Sequence, residues 1–199
     1  NSDAIVSDEV GQPYTGDEDR SSQNIHGAQV LSIMAGNDIG SFVGVAPDAE
    51  YILAKTEDNG SEYPIEEDRW VAGLEWADSL GADVVNSSLG YNLWDDGSGY
   101  NYDDLDGTTA LTSVAATLGV KRGLVIVVAA GNEGLSSWHY ITAPADADGV
   151  TSVGSIALNT GYESQIRIST TSSRGPTADG RIKPDLVAPG QGVVVADIR

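Results

Sequence analysis

The segment Gly123–Gly134, GLVIVVAAGNEG, is the one on which the fold turns. Leu124–Val128 is a run of branched apolar residues with no polar alternation, as expected of a strand covered on both faces in a parallel sheet. It ends in two alanines, a glycine, an asparagine, an acid and another glycine. A solvated turn needs only Asn-Gly or Gly alone. An amide held at the tip of a buried strand therefore asks for a purpose.

Working outward, Thr109–Gly123 reads as an amphipathic helix with Leu111, Val114, Ala115 and Leu118 on its apolar side and Lys121 and Arg122 at its end. Ala82–Gly90, ADVVNSSLG, reads as a strand, and Thr151–Leu158, TSVGSIAL, as a later one. Between Ser61 and Gly81 a second helix is expected. Pro64 and the acids Glu66, Glu67 and Asp68 suit its first turn, Trp70, Leu74 and Ala77 share a face, and Gly81 ends it. Ile25–Gly36 reads as a helix closed by Gly36, and Ala49–Thr56 as a short strand. Residues 1–23 are polar and acidic without a period and read as a loop or arm before a core spanning 24–199. Alternating strands and helices imply right-handed crossovers and a parallel sheet covered by helices.

The composition narrows the function. Thirty acidic residues against ten basic ones leave a net charge of −20, which argues against nucleic acid and anionic membranes as partners. No apolar run is long enough to span a bilayer. Cysteine is absent, which excludes disulfides and thiolate chemistry. The chain opens on Asn1 rather than Met and reads as a processed piece of a secreted or extracytoplasmic protein. Its oligomeric state is left open.

In open parallel sheets ligands bind beyond the carboxyl ends of the strands. NSSLG and AAGNEG both lie there. Acyl transfer builds negative charge on a carbonyl oxygen, and a rigid amide such as Asn132 can donate to it once it becomes tetrahedral. Ala129, Ala130 and Gly131 are small enough to let a chain approach. Ser88, Leu89 and Gly90 offer an open backbone edge along which an extended peptide can lie. Such chemistry needs a base. His26 stands at a helix start, where the helix end disfavours imidazolium and helps keep the ring neutral. His139 has no such setting and reads as structural.

Six segments together carry a resemblance: HGAQVLSIMAG, GVAPDAEYILAKT, DVVNSSLG, VIVVAAGNEG, APADADGVTSVGSI and SSRGPTADGRIKPDLVAPG. In kind and order they resemble the motifs of the subtilisin-like serine proteases, from about Asn24 to Val195. The resemblance implies an α/β fold: three layers, α/β/α, around a mostly parallel, doubly wound sheet. It implies hydrolysis of a polypeptide substrate by a Ser-His-Asp mechanism. His26 would be the base and Asn132 the oxyanion donor. Ser88, Leu89 and Gly90 would form the substrate strand. Ala130, Gly131, Ala143, Pro144 and Ala145 would line the pocket for the side chain before the scissile bond.

Two family elements find no match. The Gly-Thr-Ser nucleophile segment is absent, and GTTALTS at Gly107 has Thr where Ser is needed, so helix capping is its expected role. Ser87 and Ser88 lie in the substrate strand. Asp3 and Asp8 lack the apolar strand that carries the family's acid. The chain is therefore expected to be an incomplete peptidase domain, inactive by itself. Asp95, Asp96, Asp103, Asp104 and Asp106 crowd one loop without an EF-hand spacing, so a solvated loop is expected. No metal ligand is assigned and no cofactor is required for the chemistry, although structural calcium remains compatible with the family. Two other readings compete: a peptide-binding pseudoprotease using the same groove, and an acidic calcium-dependent scaffold module.

Overall fold

A computed structural model describes residues 25–58, 60–158 and 166–197. The acidic segment 1–23, with Asp3 and Asp8, lies outside them. The chain forms two compact units, one of residues up to 61 together with 193 onward, the other of residues 62–192.

In the first unit, α1 spans Ile25–Ala35. Gly36 follows it as expected, and a Cβ there would stand 2.6 Å from the Phe42 ring and from the Ser32 carbonyl. The chain then folds back. β1 (Asn37–Asp38) pairs antiparallel with β2 (Phe42–Val43) through a turn at Gly40, where φ is +97°. The N–H groups of Val45 and Ala46 donate to the Ile33 and Met34 carbonyls, satisfying the last turn of the helix. Among the described residues the expected strand at Ala49–Thr56 does not form: the segment joins none of their β-ladders, and Ile52 and Leu53 are exposed. A strand needs a partner, and propensity alone does not make one.

The second unit holds the sheet. α2 spans Ile65–Ser79 and ends at Gly81, where φ is +80°. β3 (Val84–Ser87) leads to α3 (Leu111–Arg122), which stops at Gly123 in the left-handed conformation. β4 (Val125–Ala129) lies parallel beside β3, with Val84 opposite Val125 and Ser87 opposite Val128. β5 (Thr151–Leu158) runs parallel to β4 along Thr151–Val153. Two strands not anticipated complete the sheet. β6 (Ile166–Ile168) pairs antiparallel with the end of β5, and β7 (Leu186–Gln191) pairs parallel with its middle. The α/β class and the predominantly parallel sheet are as expected.

The expectation that Val125–Val128 is enclosed on both faces fails. Ile126 and Val128 are 1% exposed, but Val125 is 54% exposed. The helices of this unit cover one face. Gly119 of α3 lies over Ile126, Leu124 and Leu74, and a Cβ there would come 2.9 Å from the Ile126 side chain. That close approach explains a second departure. α3 buries Thr112, Ser113, Ala116 and Gly119, its small and polar side, while Leu111, Val114 and Leu118 are exposed. Apolar periodicity selects the bulky face, but the narrow gap above α2 and β4 admits only the small one.

Burying Thr112 and Ser113 requires partners, which are carboxylates. Glu67, 4% exposed, accepts the Tyr100 hydroxyl at 2.7 Å, the Thr112 hydroxyl at 3.2 Å and the Thr112 N–H at 3.4 Å. It thus caps α3 from another helix, where the helix end favours a negative charge. Asp146, fully buried, accepts the Ser113 hydroxyl at 2.5 Å and the Gly107 N–H at 2.8 Å. The expected capping by Thr108 or Thr109 is replaced by the reverse. Asp106 accepts both their N–H groups, at 2.7 and 2.8 Å. The acidic loop is likewise not wholly solvated. Asp95, Asp96 and Asp103 are exposed, but Leu105 is fully buried and Trp94 nearly so.

These carboxylates set a pH dependence. Burial raises Glu67 and Asp146 above their usual 4.5 and 3.8, against the hydrogen bonds they accept. A raised carboxyl holds its proton more tightly when folded, so its contribution to stability declines as pH rises from the unfolded value through the folded one. Others shift the opposite way. Hydrogen bonds from Ser98 lower Asp96, and those from Arg181 and Thr177 lower Asp179. Asp106 and Asp185 are also lowered, against burial, by Thr108 with Thr109 and by Lys183 with Ser152. Their stabilisation is present above the unfolded value of 3.8 and lost as pH falls below it. Melting temperature is therefore expected to fall as pH drops below 3.8, and to fall also as pH rises above 4.5 through the raised folded values of Glu67 and Asp146. Glu67→Gln should flatten the fall on the alkaline side of 4.5. A melting temperature that climbs steadily from pH 5 to 8 would contradict the assignment.

Candidate active site

β4 delivers its tip under tight control. Ala130 donates to the Val153 carbonyl at 2.9 Å, and Gly131 turns the chain with φ +111°. Asn132 follows in an irregular conformation (φ −112°, ψ 17°), exposed, with its side chain capping nothing in the short 3-10 turn Glu133–Leu135. Its two neighbours are held by one residue. Ser173, fully buried, donates its N–H to the Gly131 carbonyl at 3.0 Å and accepts the Glu133 N–H at 2.9 Å. Gly134 donates to Thr171 at 3.0 Å. The backbone of Asn132 is thus fixed while its amide is left available. Ser173 is a site residue that composition and spacing do not single out. Its signal is the Ser-Ser-Arg-Gly-Pro run, which has no periodicity of its own.

β3 ends on the same edge. Because β3 and β4 are parallel and in register, Ser88–Gly90 and Ala130–Asn132 both leave their carboxyl ends. Segment Ile141–Ala145 lies against both. Tyr91 and Ala143 exchange N–H···O bonds of 2.8 and 3.1 Å, and Thr142 donates to the Ala130 carbonyl at 3.2 Å. The structure therefore brings together Ser88, Leu89, Gly90, Ala130, Gly131, Ala143, Pro144 and Ala145. Their exposures differ. Ser88 and Leu89 are half-buried and Gly90 is exposed, while Ala130, Ala143, Pro144 and Ala145 are buried. The Thr142 hydroxyl lies close to both tips: a Cβ on Gly90 would meet it first, and a Cβ on Gly131 would meet Ser173 Oγ at 2.7 Å and then the Thr142 hydroxyl at 2.9 Å.

His26 belongs to the first unit. It is the second residue of α1 and is exposed, as expected for a group at a helix start. The open space around the following Gly27, where a Cβ would meet nothing within 4 Å, leaves that turn uncrowded. His139 sits at φ +46° with its ring 4.1 Å from that of Tyr140, in keeping with a structural role.

Two of the serines near the strand tips and α3 are engaged elsewhere, while Ser88 is half-buried. Ser87 is 6% exposed and accepts the Trp70 indole N–H at 2.9 Å. Ser113 is consumed by Asp146. Among the described residues no three His, Asp or Glu side chains converge as metal ligands. No described helix is long and apolar enough to cross a membrane.

Residues 1–197 match the subtilase family. Pyrolysin from Pyrococcus furiosus is 36% identical over 174 residues, covering 75% of this chain and 11% of that protein. Subtilisin DY from Bacillus licheniformis is 34% identical over 150 residues, covering 73% of this chain and 48% of the relative. Serine protease AprX from Bacillus subtilis is 28% identical over 92% of this chain and 40% of its own length. The chain thus spans less than half the length of these curated relatives. Among solved structures, the self-cleaved protease domain of PatA superposes with a TM-score of 0.64 at 23% identity, over 97% of this chain and 61% of the other. MycP1 with its N-terminal propeptide removed gives 0.60 at 24%, over 87% and 54%. At that identity the two structures speak to the fold.

Proposed function

The chain belongs to the subtilase family, and from that premise we propose that it is part of a secreted serine-type endopeptidase. The observation carrying this reading is the Asn132 tip, where a buried serine fixes the backbone on both sides of an exposed, uncommitted amide. A donor aimed in advance costs no reorganisation when the carbonyl oxygen becomes negative. The substrate chain lies extended along Ser88–Gly90, adding main-chain hydrogen bonds to that edge. Its side chain before the scissile bond enters between that strand and Ala130–Gly131, over the Ala143–Ala145 segment. His26 acts as general base, taking the proton of a serine nucleophile and returning it to the leaving amine. The reaction uses protein groups alone. Export is part of the proposal, supported by a relative named Minor extracellular protease Vpr, 33% identical over 72% of this chain.

No Gly-Thr-Ser segment occurs among the 199 residues. A fluorophosphonate is therefore expected to leave this chain unlabelled, as read by intact mass, and the intact protein is expected to be labelled once. Stoichiometric labelling of Ser87, Ser88 or Ser113 would reassign the nucleophile. Failure of the intact protein to label or to hydrolyse any peptide would remove the enzymatic reading.

A further inference from the structure

Resting on the peptide edge just described, we propose that Tyr100 is a positioning residue for it: through the hairpin Tyr91–Asn101 it fixes the edge Ser88–Gly90 along which an extended substrate lies. The edge runs directly into this hairpin. Asn92 accepts the Tyr100 N–H at 2.8 Å and Trp94 donates to Ser98 at 2.9 Å, across a turn at Gly97 where φ is +83°. A two-stranded hairpin of this size is marginal by itself. Its place is therefore set by what it is tied to.

The ties form a line of rings that ends on a carboxylate. Next to the edge, Tyr91 is buried, and its ring lies 5.9 Å from that of Trp94. Trp94, also buried, meets the Tyr100 ring edge-on at 6.1 Å. The Tyr100 hydroxyl closes the line. It donates to Glu67 of α2 at 2.7 Å and accepts the Leu111 N–H, at the start of α3, at 3.2 Å. Burial and the bond to Glu67 raise the pKa of the phenol, so it stays a donor. A hydrogen bond to a carboxylate is among the stronger side-chain bonds. The hairpin tip has its own ties, from the Asp95 N–H to the Glu62 carbonyl at 2.9 Å and from the Glu62 N–H to the Asp95 carboxylate at 3.0 Å. Both residues are exposed, so water competes for these bonds. The inner tie at Tyr100 is the firmer one. Packed rings pass a displacement on to their neighbours, and Gly90 already lies hard against the Thr142 side chain. A shift at Tyr100 is therefore felt at the edge.

The test uses the intact protein and two substrates with the same residue before the scissile bond. One is an extended peptide, the other a blocked single-residue amide with no chain to lay along the edge. kcat and KM are measured for both, and calorimetric Kd for the matching peptide acid. Tyr100→Phe keeps the ring and removes the tie. It should raise KM and Kd for the extended peptide by about tenfold, leave its kcat within about twofold, and leave the single-residue amide unchanged. Glu67→Ala should give the same pattern, and the double variant should be no worse than either single one, since both remove one interaction. Glu67→Gln retains an acceptor for the phenol and should recover part of the loss. It also replaces Glu67→Ala should alanine impair folding. A lower melting temperature in Tyr100→Phe with KM for the extended peptide unchanged overturns the proposal. Equal losses on the two substrates do the same, as do additive effects of the two substitutions. Binding of the extended peptide without hydrolysis, weakened in Tyr100→Phe, would sink the protease reading and leave Tyr100 in its role. Hydrolysis with no length-dependent effect of Tyr100→Phe would do the opposite, and absence of both binding and hydrolysis would overturn both.

Discussion

Replacing His26 by alanine in the intact protein is expected to lower kcat by about 10⁴–10⁶-fold, the range for removing one member of a nucleophile–base unit. That range was established largely on subtilisin itself, a relative, and is carried over rather than deduced. The reason for expecting it here is local. His26 sits in the first turn of α1, is exposed, and so contributes little packing. Loss of the ring should leave only what the oxyanion donor and substrate binding supply. Since the residue is exposed, the melting temperature should stay within about 2 °C of the parent, as for most surface substitutions. A loss below tenfold, with the fold intact, would show that another group is the base.

The second large effect is expected at Asn132. Asn132→Ala should cost about 10²–10³ in kcat with KM nearly unchanged, because the amide acts on charge that exists only in the transition state. This range also owes much to subtilisin. The present structure adds a companion expectation. Ser173→Ala leaves Asn132 in place but removes the oxygen that accepts the Glu133 N–H. If Ser173 serves by positioning the tip, kcat should fall by about tenfold, again with little change in KM, since modest misplacement of a catalytic group is costly. Ser173→Thr, which retains the hydroxyl, should recover part of the loss unless its extra methyl collides near Gly131. Equal loss of substrate affinity at both positions, with kcat preserved, would make this tip a binding element instead of an oxyanion site.

Much of the second unit was legible because its signals are local. The run Leu124–Val128 and the segment Asp83–Ser87 announce neighbouring parallel strands, and glycines 81 and 123 end their helices where left-handed backbone is needed. The tips at Gly90 and Asn132 fall on one edge as a consequence of parallel pairing alone. The subtilase relationship was legible for a different reason: six motifs in a fixed order are hard to meet by accident.

Tertiary structure decided what periodicity cannot encode. Strand status depends on a partner, so Ala49–Thr56 stays outside the ladders of the described residues while Leu186–Gln191 becomes a strand beside β5. The face a helix buries depends on the width of the gap it must fill. α3 therefore turns its glycine and hydroxyls inward, and its leucines and valine outward. The inward hydroxyls in turn draw Glu67 and Asp146 into the interior from 45 and 33 residues away. No local rule in a helix first turn distinguishes the buried Glu67 from the exposed Asp68 beside it. The same holds at the site. Asn132 can be read from its own segment, but Ser173 and Thr142 hold its neighbours Gly131, Glu133 and Ala130 from remote loops. Their roles arise from distances that exist only once the chain has closed.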